Sequence, residues 1–329
     1  VERIPYVESL RVYYPRWHAI LNDIADCHSR HAIAAEPPCL LLVGPTGAGK
    51  TTLTESYAAR FPVQVSATGI SRRVLHTTIP SPATIKNLAM ALLYALGDPR
   101  YDKGTVGNMT KRIINFIDDC GVELLILDEL QHFVDRDSRQ VLQNVSNWLK
   151  TLIKDHEVKM ACVLVGLENE ANQVVDTNPQ LARLFGDPFV LAPFTWDERN
   201  PATIQEFRTL LHELEKLLPL NEPSHLVNRE RAWRCFVASN GVISYLMALL
   251  RRATSLALTR GQEHLDDLLL SDAFDQRLAG QRRGIPNPFV GDLPAPPPAE
   301  PSPAASDGTN NRSKARGRTR QPRLGDIQR

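Results

Sequence analysis

Cys39-Leu40-Leu41-Leu42-Val43-Gly44-Pro45-Thr46-Gly47-Ala48-Gly49-Lys50-Thr51-Thr52 is the stretch whose reading decides the fold. Residues 44–51 match the phosphate-binding loop G-x-x-x-x-G-K-[ST] in full. The apolar run before the loop suits a buried strand, and Thr51 to Arg60 can continue as a helix. In that setting Gly44, Gly47 and Gly49 let backbone N–H groups converge on phosphates at a helix N-terminus. Pro45, Thr46, Ala48 and Thr52 complete the nucleotide-binding loop. Lys50 adds a point charge on the β- and γ-phosphates, and the Thr51 hydroxyl is placed to ligate Mg²⁺.

A site of this kind needs acid on a second buried strand, and Leu124-Leu125-Ile126-Leu127-Asp128-Glu129 supplies it. Four consecutive aliphatics fit the central strand of a parallel sheet covered on both faces. Asp128, at the strand's C-terminal end, is expected to bind nucleotide and metal together with Thr51. Glu129 then polarises the attacking water as general base. The adjacent Glu favours ATP over GTP, whose hydrolases carry a different acid motif and a base-reading signature not found here.

The chain has 329 residues, 43% of them hydrophobic, which suffices for one large α/β domain and a smaller one. Its five cysteines are scattered and odd in number, as expected of reduced thiols in a cytoplasmic protein rather than of a disulfide or zinc framework. No apolar stretch is long enough to span a membrane, and the N-terminus is too polar for a signal peptide. Charge is unevenly spread. Residues 311–329 hold seven of the 38 Lys/Arg and one of the 37 acids, so a mildly acidic body carries a basic tail. Residues 286–305, rich in Pro, Ala and Ser, read as an extended linker.

Strand and helix signals alternate after the loop. Ser81-Pro82 offers a helix cap and an N1 proline, with Ile85, Leu88, Ala89, Leu92 and Leu96 at helical spacing before Gly97. Val106 to Ile117 and Val141 to Leu152 give two further helices, and Val63–Val65, Val158–Val165 and Phe189–Leu191 give further strands. From Ala202 the pattern is helical only. The expected architecture is α/β: a parallel five-stranded sheet with helices on both faces and a small C-terminal helical lid. The predicted boundaries are an N-terminal helical segment (1–38), an ATPase core (39–200), a lid (201–284), and a Pro-rich linker with a disordered basic tail (285–329).

Several segments narrow this further: Cys120 to Glu129 followed by Gln131-His132, Val163-Leu164-Val165-Gly166, Gln180-Leu181-Ala182-Arg183, Leu217-Leu218-Pro219-Leu220 and Gly241 to Leu246. In this order they resemble the TniB/TnsC family of AAA+ transposition ATPases, over about residues 4–280. The resemblance implies an ATPase that is slow and is stimulated by DNA or a partner. It implies assembly into homo-oligomeric rings or filaments on double-stranded DNA. It also implies recruitment of a DDE transposase and of a TniQ-like target selector or a CRISPR effector.

Two positions depart from the family pattern. Leu167 stands where a small polar γ-phosphate sensor is usual, with Asn169 as a substitute. Leu184 stands where the trans-acting arginine is usual, with Arg183 one residue earlier, about 100° away around a helix. Arg183 is nonetheless the candidate catalytic arginine. Lys103-Gly104-Thr105 is similar to the DNA-touching element of CRISPR-associated members, so Lys103, Thr105, Lys111 and Arg112 are the candidate DNA contacts. An ordinary solvated turn with a Thr cap would look the same. Arg72-Arg73 reads as surface charge, and His132 as a packing or positioning histidine.

Two rivals remain at the sequence level. An initiator-type or secretion-associated AAA+ ATPase would need a further winged-helix or peptidoglycan-binding region, for which these residues leave no room. A nucleotide-gated scaffold with little hydrolysis is the other, kept open by Leu167 and Leu184.

Overall fold

The structure is a computed structural model, and it describes residues 3–67, 69–133, 139–154, 159–176 and 179–296. The basic tail lies outside the described residues. In chain order the elements are α1 (Arg3–Ser9), α2 (Pro15–Ser29), β1 (Cys39–Val43), α3 (Lys50–Ala58), β2 (Gln64–Ser66), β3 (Gly69–Ser71), β4 (Val74–Thr78), α4 (Ile85–Leu96), α5 (Val106–Asp119) and β5 (Leu124–Asp128). A short 3-10 helix (Leu130–Phe133) leads to α6 (Arg139–Ile153), β6 (Ala161–Gly166), α7 (Glu168–Asp176), α8 (Pro179–Phe185) and β7 (Phe189–Val190). Four helices follow: α9 (Pro201–Leu217), α10 (Arg229–Ser239), α11 (Ile243–Arg260) and α12 (Asp267–Arg277).

Five strands pair in parallel in the order β4-β5-β6-β1-β7. This is the P-loop AAA+ fold. The aliphatic runs of β5 and β6 are buried along their whole length, as central strands covered on both faces require. Leu41, Leu75, Leu125, Leu127 and Leu164 join α4, α5 and α6 in one core. Leu40, Leu42, Ile126, Val163 and Val165 face α2 and the four C-terminal helices in the other. Burying each such side chain contributes about 1.5–3 kcal/mol.

The membership of the sheet differs from the sequence expectation. Val63–Val65 does not join it. Gln64–Ser66 pairs antiparallel with Gly69–Ser71 in an exposed hairpin, where Val65 is 78% exposed. The edge position belongs to β4, Val74-Leu75-His76-Thr77-Thr78, half-buried and therefore mixed in polarity. Helix α4 also starts later than Ser81-Pro82, which is a cis peptide. Thr84 is the cap, its side chain accepting from the Asn87 N–H at 3.1 Å.

The compact unit runs Val1–Ala295, past the expected linker start at 285. Phe289 is buried in the core against the C-terminal helices. Arg234 donates to the carbonyls of Pro288 (2.6 Å) and Gly291 (2.9 Å), and the Trp233 indole donates to that of Pro294 (2.9 Å). Backbone acceptors, which composition does not reveal, hold this segment down.

Candidate nucleotide site

The loop after β1 closes on itself. Gly49 caps α3 at φ 94°, and Gly47 sits at φ 80°, conformations in which an L side chain is strained. A Cβ on Gly44 would come 2.4 Å from the Leu191 carbonyl oxygen, so the loop's first residue packs directly on the chain after β7. The Lys50 ammonium donates to the carbonyls of Gly44 (2.7 Å) and Pro45 (3.0 Å). Burial pushes its pKa below the ordinary value, against the upward pull of Asp128 and Glu129.

A cavity of about 350 Å³ opens above this loop. Thr46, Gly47, Ala48, Gly49, Lys50, Thr51 and Thr52 form its floor, and Glu129, Gln131 and Leu167 one wall. Asp128 lies beneath, 1% exposed. Its Oδ1 accepts the Glu129 N–H at 2.7 Å, while its Oδ2 is buried with no hydrogen-bond partner among the described residues. A buried carboxylate oxygen without a partner is costly unless a cation or donor meets it. Thr51 on α3 adds a hydroxyl to the cavity lining, and oxygen donors of these kinds suit Mg²⁺. Glu129 takes the left-handed conformation (φ 64°) that turns its side chain toward the cavity rather than along the strand.

The remaining walls come from residues that sequence reading missed. Leu10, Arg11, Val12, Tyr14 and Trp17 enter from the N-terminal segment, and Ile243, Ser244, Met247 and Arg251 from α11. Arg251 donates to the Leu10 carbonyl at 2.6 Å, tying the two together. The positions on α11 mix apolar, hydroxyl and charged side chains, so no apolar pattern singles them out in the sequence; only the fold shows that they line the cavity.

The other candidates lie elsewhere. Arg183, on α8, is 79% exposed, meets Glu36 at 3.5 Å and does not line the cavity. Asn169 is exposed on α7, also away from the cavity wall, whereas Leu167 is part of it. The His132 ring donates to the Ile79 carbonyl at 2.7 Å, which ties the 3-10 helix to the end of β4. Arg73 pairs with Glu123 at 2.8 Å.

Lys103, Lys111 and Arg112 border one open surface depression with Arg100. Lys103 is 74% exposed and pairs with Asp102 at 3.1 Å. Thr105 caps α5, its hydroxyl accepting from the Asn108 N–H at 3.4 Å. The Arg112 guanidinium turns inward. It bonds the buried Asp98 carboxylate and donates to the carbonyls of Lys103 and Arg100, each at 2.7 Å. Burial pushes the Asp98 pKa up, but the Arg100 N–H and the Arg112 guanidinium outweigh it and hold the carboxyl below its ordinary value.

Among the described residues no single helix is long and apolar enough to cross a membrane. No curated protein matches the chain in sequence. Among solved structures, the Aeropyrum pernix ORC2 protein in its ADPNP–ADP complexes is 17% identical with a TM-score of 0.61, the alignment covering 84% of this chain and 71% of that one. The A. pernix ORC1 protein in complex with DNA is 18% identical with a TM-score of 0.56, covering 84% and 70%. Cdc6p from Pyrobaculum aerophilum is 15% identical with a TM-score of 0.57, covering 83% and 71%. These likenesses establish the shared fold. The family model described as "Bacterial TniB protein" matches residues 3–196, more than half of the chain, and the chain belongs to that family.

Proposed function

We propose that this protein is an ATP-dependent regulator of DNA transposition, which oligomerises on target DNA in the cytoplasm and recruits the transposase to the chosen site. The observation that carries the enzymatic part is the cavity itself. A cradle of N–H groups, a half-buried lysine, a buried carboxylate oxygen in need of a cation and a carboxylate at the wall meet in one region. TniB membership supports the link to transposition, and the nucleotide-bound and DNA-bound relatives of the same fold are consistent with both ligands.

In this reading the N–H groups of residues 46–52 and the Lys50 ammonium bind the triphosphate. A phosphate competes for that ammonium with the Gly44 and Pro45 carbonyls. Thr51 and Asp128 would hold Mg²⁺, which when bound neutralises charge on the phosphates. Glu129 accepts the proton of the attacking water. Arg183 is proposed to act on a neighbouring protomer's nucleotide, since it lies outside its own cavity and is exposed. Lys103, Thr105 and Lys111 are proposed to contact DNA phosphates, with a TniQ-like selector or a CRISPR effector choosing the site.

Lys50→Ala and Glu129→Gln test the core of this. Lys50→Ala should abolish ATP binding. Glu129→Gln should keep it, slow turnover and leave the ATP-bound assembly on duplex DNA, as read by nucleotide titration and by co-sedimentation with DNA. Wild-type turnover in Glu129→Gln would remove the base assignment.

A further inference from the structure

Leu167 puts an apolar side chain where a γ-phosphate sensor would be polar, yet the cavity wall beside it is not apolar. Gln131 lines the cavity along with it. Its Nε2 donates to Glu129 Oε2. Its Oε1 is buried without a hydrogen-bond partner among the described residues, and lies 3.4 Å from where a Cβ on Gly166 would stand. Gly166 ends β6 and directly precedes Leu167, so the amide lies against the strand end that would present the sensor. Leu130 and Phe133, at most 1% exposed, anchor the 3-10 helix in the core and leave Gln131 on the cavity side.

The amide's orientation is fixed by chemistry. Reversed, it would set a carbonyl oxygen against the Glu129 carboxylate; as placed, the NH₂ group faces the carboxylate and the carbonyl is left as an acceptor. That oxygen has no surface open to water in the structure, so the amide must swing from the strand end toward the cavity for the carbonyl to hold a water beside the general base.

We propose that Gln131 orients the attacking water together with Glu129, supplying the polar contact that Leu167 lacks. This rests on Glu129 being the base, as proposed above. One water proton is donated to Gln131 Oε1 and the other passes to Glu129. The water oxygen forms the new bond to the γ-phosphorus as the bond to the β,γ-bridging oxygen breaks, and that electron pair leaves with ADP. Gln131 is unchanged by the reaction.

The test is single-turnover ATP hydrolysis with duplex DNA present, beside nucleotide affinity and thermal melting, for wild type, Q131M, E129Q and the double variant. Q131M keeps length and volume without polar atoms. It should hydrolyse about 10- to 100-fold more slowly with nucleotide affinity within about twofold of wild type. In the E129Q background it should cost nothing further, because the two groups act on one water. Q131L likewise has no polar atoms, should also be slow with affinity retained, and provides the reading if Q131M does not fold. A wild-type rate in the variant that folds overturns the proposal, as does a loss that multiplies with that of E129Q or a matching loss of nucleotide affinity. An E129Q protein as fast as wild type fails in a distinguishable way, since it overturns the base assignment itself.

Discussion

The backbone N–H of Ser244 donates to the carbonyl oxygen of Gly47 across 3.1 Å, so the first turn of α11 rests on the P-loop itself. The approach is so close that a Cβ on Gly47 would lie 2.2 Å from Ser244 Oγ and 3.2 Å from its Cβ. The first turns of α3 and α11 therefore meet at the cavity.

Gly47→Ala should weaken nucleotide binding at least tenfold and destabilise the protein by about 1–2 kcal/mol from the left-handed backbone alone. Ser244→Gly in the same chain removes the clashing side chain but not the backbone strain, and should recover part of the affinity. Isothermal titration of the single and double variants decides it. Equal affinity of Gly47→Ala and wild type would mean that α11 can shift away from the loop without loss.

Arg183 should matter to turnover and not to folding. Its ion pair with Glu36 is a surface contact, of the kind worth roughly 0–1 kcal/mol. Arg183→Ala is thus expected to melt like wild type and to bind ATP normally. If the residue reaches a neighbour's nucleotide, its hydrolysis rate on DNA should fall by about 10³ or more. Mixing it with Glu129→Gln subunits should restore some activity, because each protomer lacks a different half of the shared site. An unaltered rate in Arg183→Ala would take it out of catalysis.

The surface around α5 separates two roles that sequence alone merges. Lys103 points to solvent, whereas Arg112 is spent on Asp98 and on loop carbonyls. Lys103→Ala should leave the melting temperature in place. It should weaken binding to all duplexes alike and lower the slope of log affinity against log salt by about one. Arg112→Ala should instead destabilise the fold by about 1–3 kcal/mol, because it strips a buried carboxylate of its partner. Unchanged DNA affinity in Lys103→Ala would move the DNA surface elsewhere.

How much of this was legible in the sequence follows from the range of the interactions. Residues 39–58 are shaped by local contacts: aliphatics in β1, glycines at left-handed turns and Lys50 folded onto its own loop. The all-aliphatic β5 announced a central strand for the same reason. β4 was hidden because an edge strand can carry His76, Thr77 and Thr78, and the more aliphatic Val63–Val65 went to an exposed hairpin. The far wall of the cavity joins Leu10 to Arg251 through one hydrogen bond, and no spacing rule connects residues so distant in the chain. Likewise Arg112 and Lys103 are alike in composition and differ only in what stands behind them.

The opposite end of the sheet predicts how stability responds to acid. His28, buried on α2, bonds Tyr57 Oη through Nδ1 and Glu123 Oε2 through Nε2, both at 2.9 Å. Burial pushes the imidazole pKa below its ordinary 6.5, more strongly than the Glu123 carboxylate raises it. In Glu123 burial pushes upward, but Arg73 and His28 outweigh it, so that carboxyl is held below its ordinary 4.5. A histidine that resists protonation in the fold binds fewer protons folded than unfolded, so stability falls as pH drops through 6.5. Glu123 adds a second loss only below 4.5, as pH falls through its lowered value. Between about pH 7.5 and 5.5 the histidine therefore acts without it. His28→Gln, which does not titrate, should cost about 1–3 kcal/mol at the upper pH through its lost hydrogen bonds. Its melting temperature should then fall less than that of wild type on going to the lower pH. Parallel declines in the two proteins would show that His28 does not set the acid sensitivity of this edge.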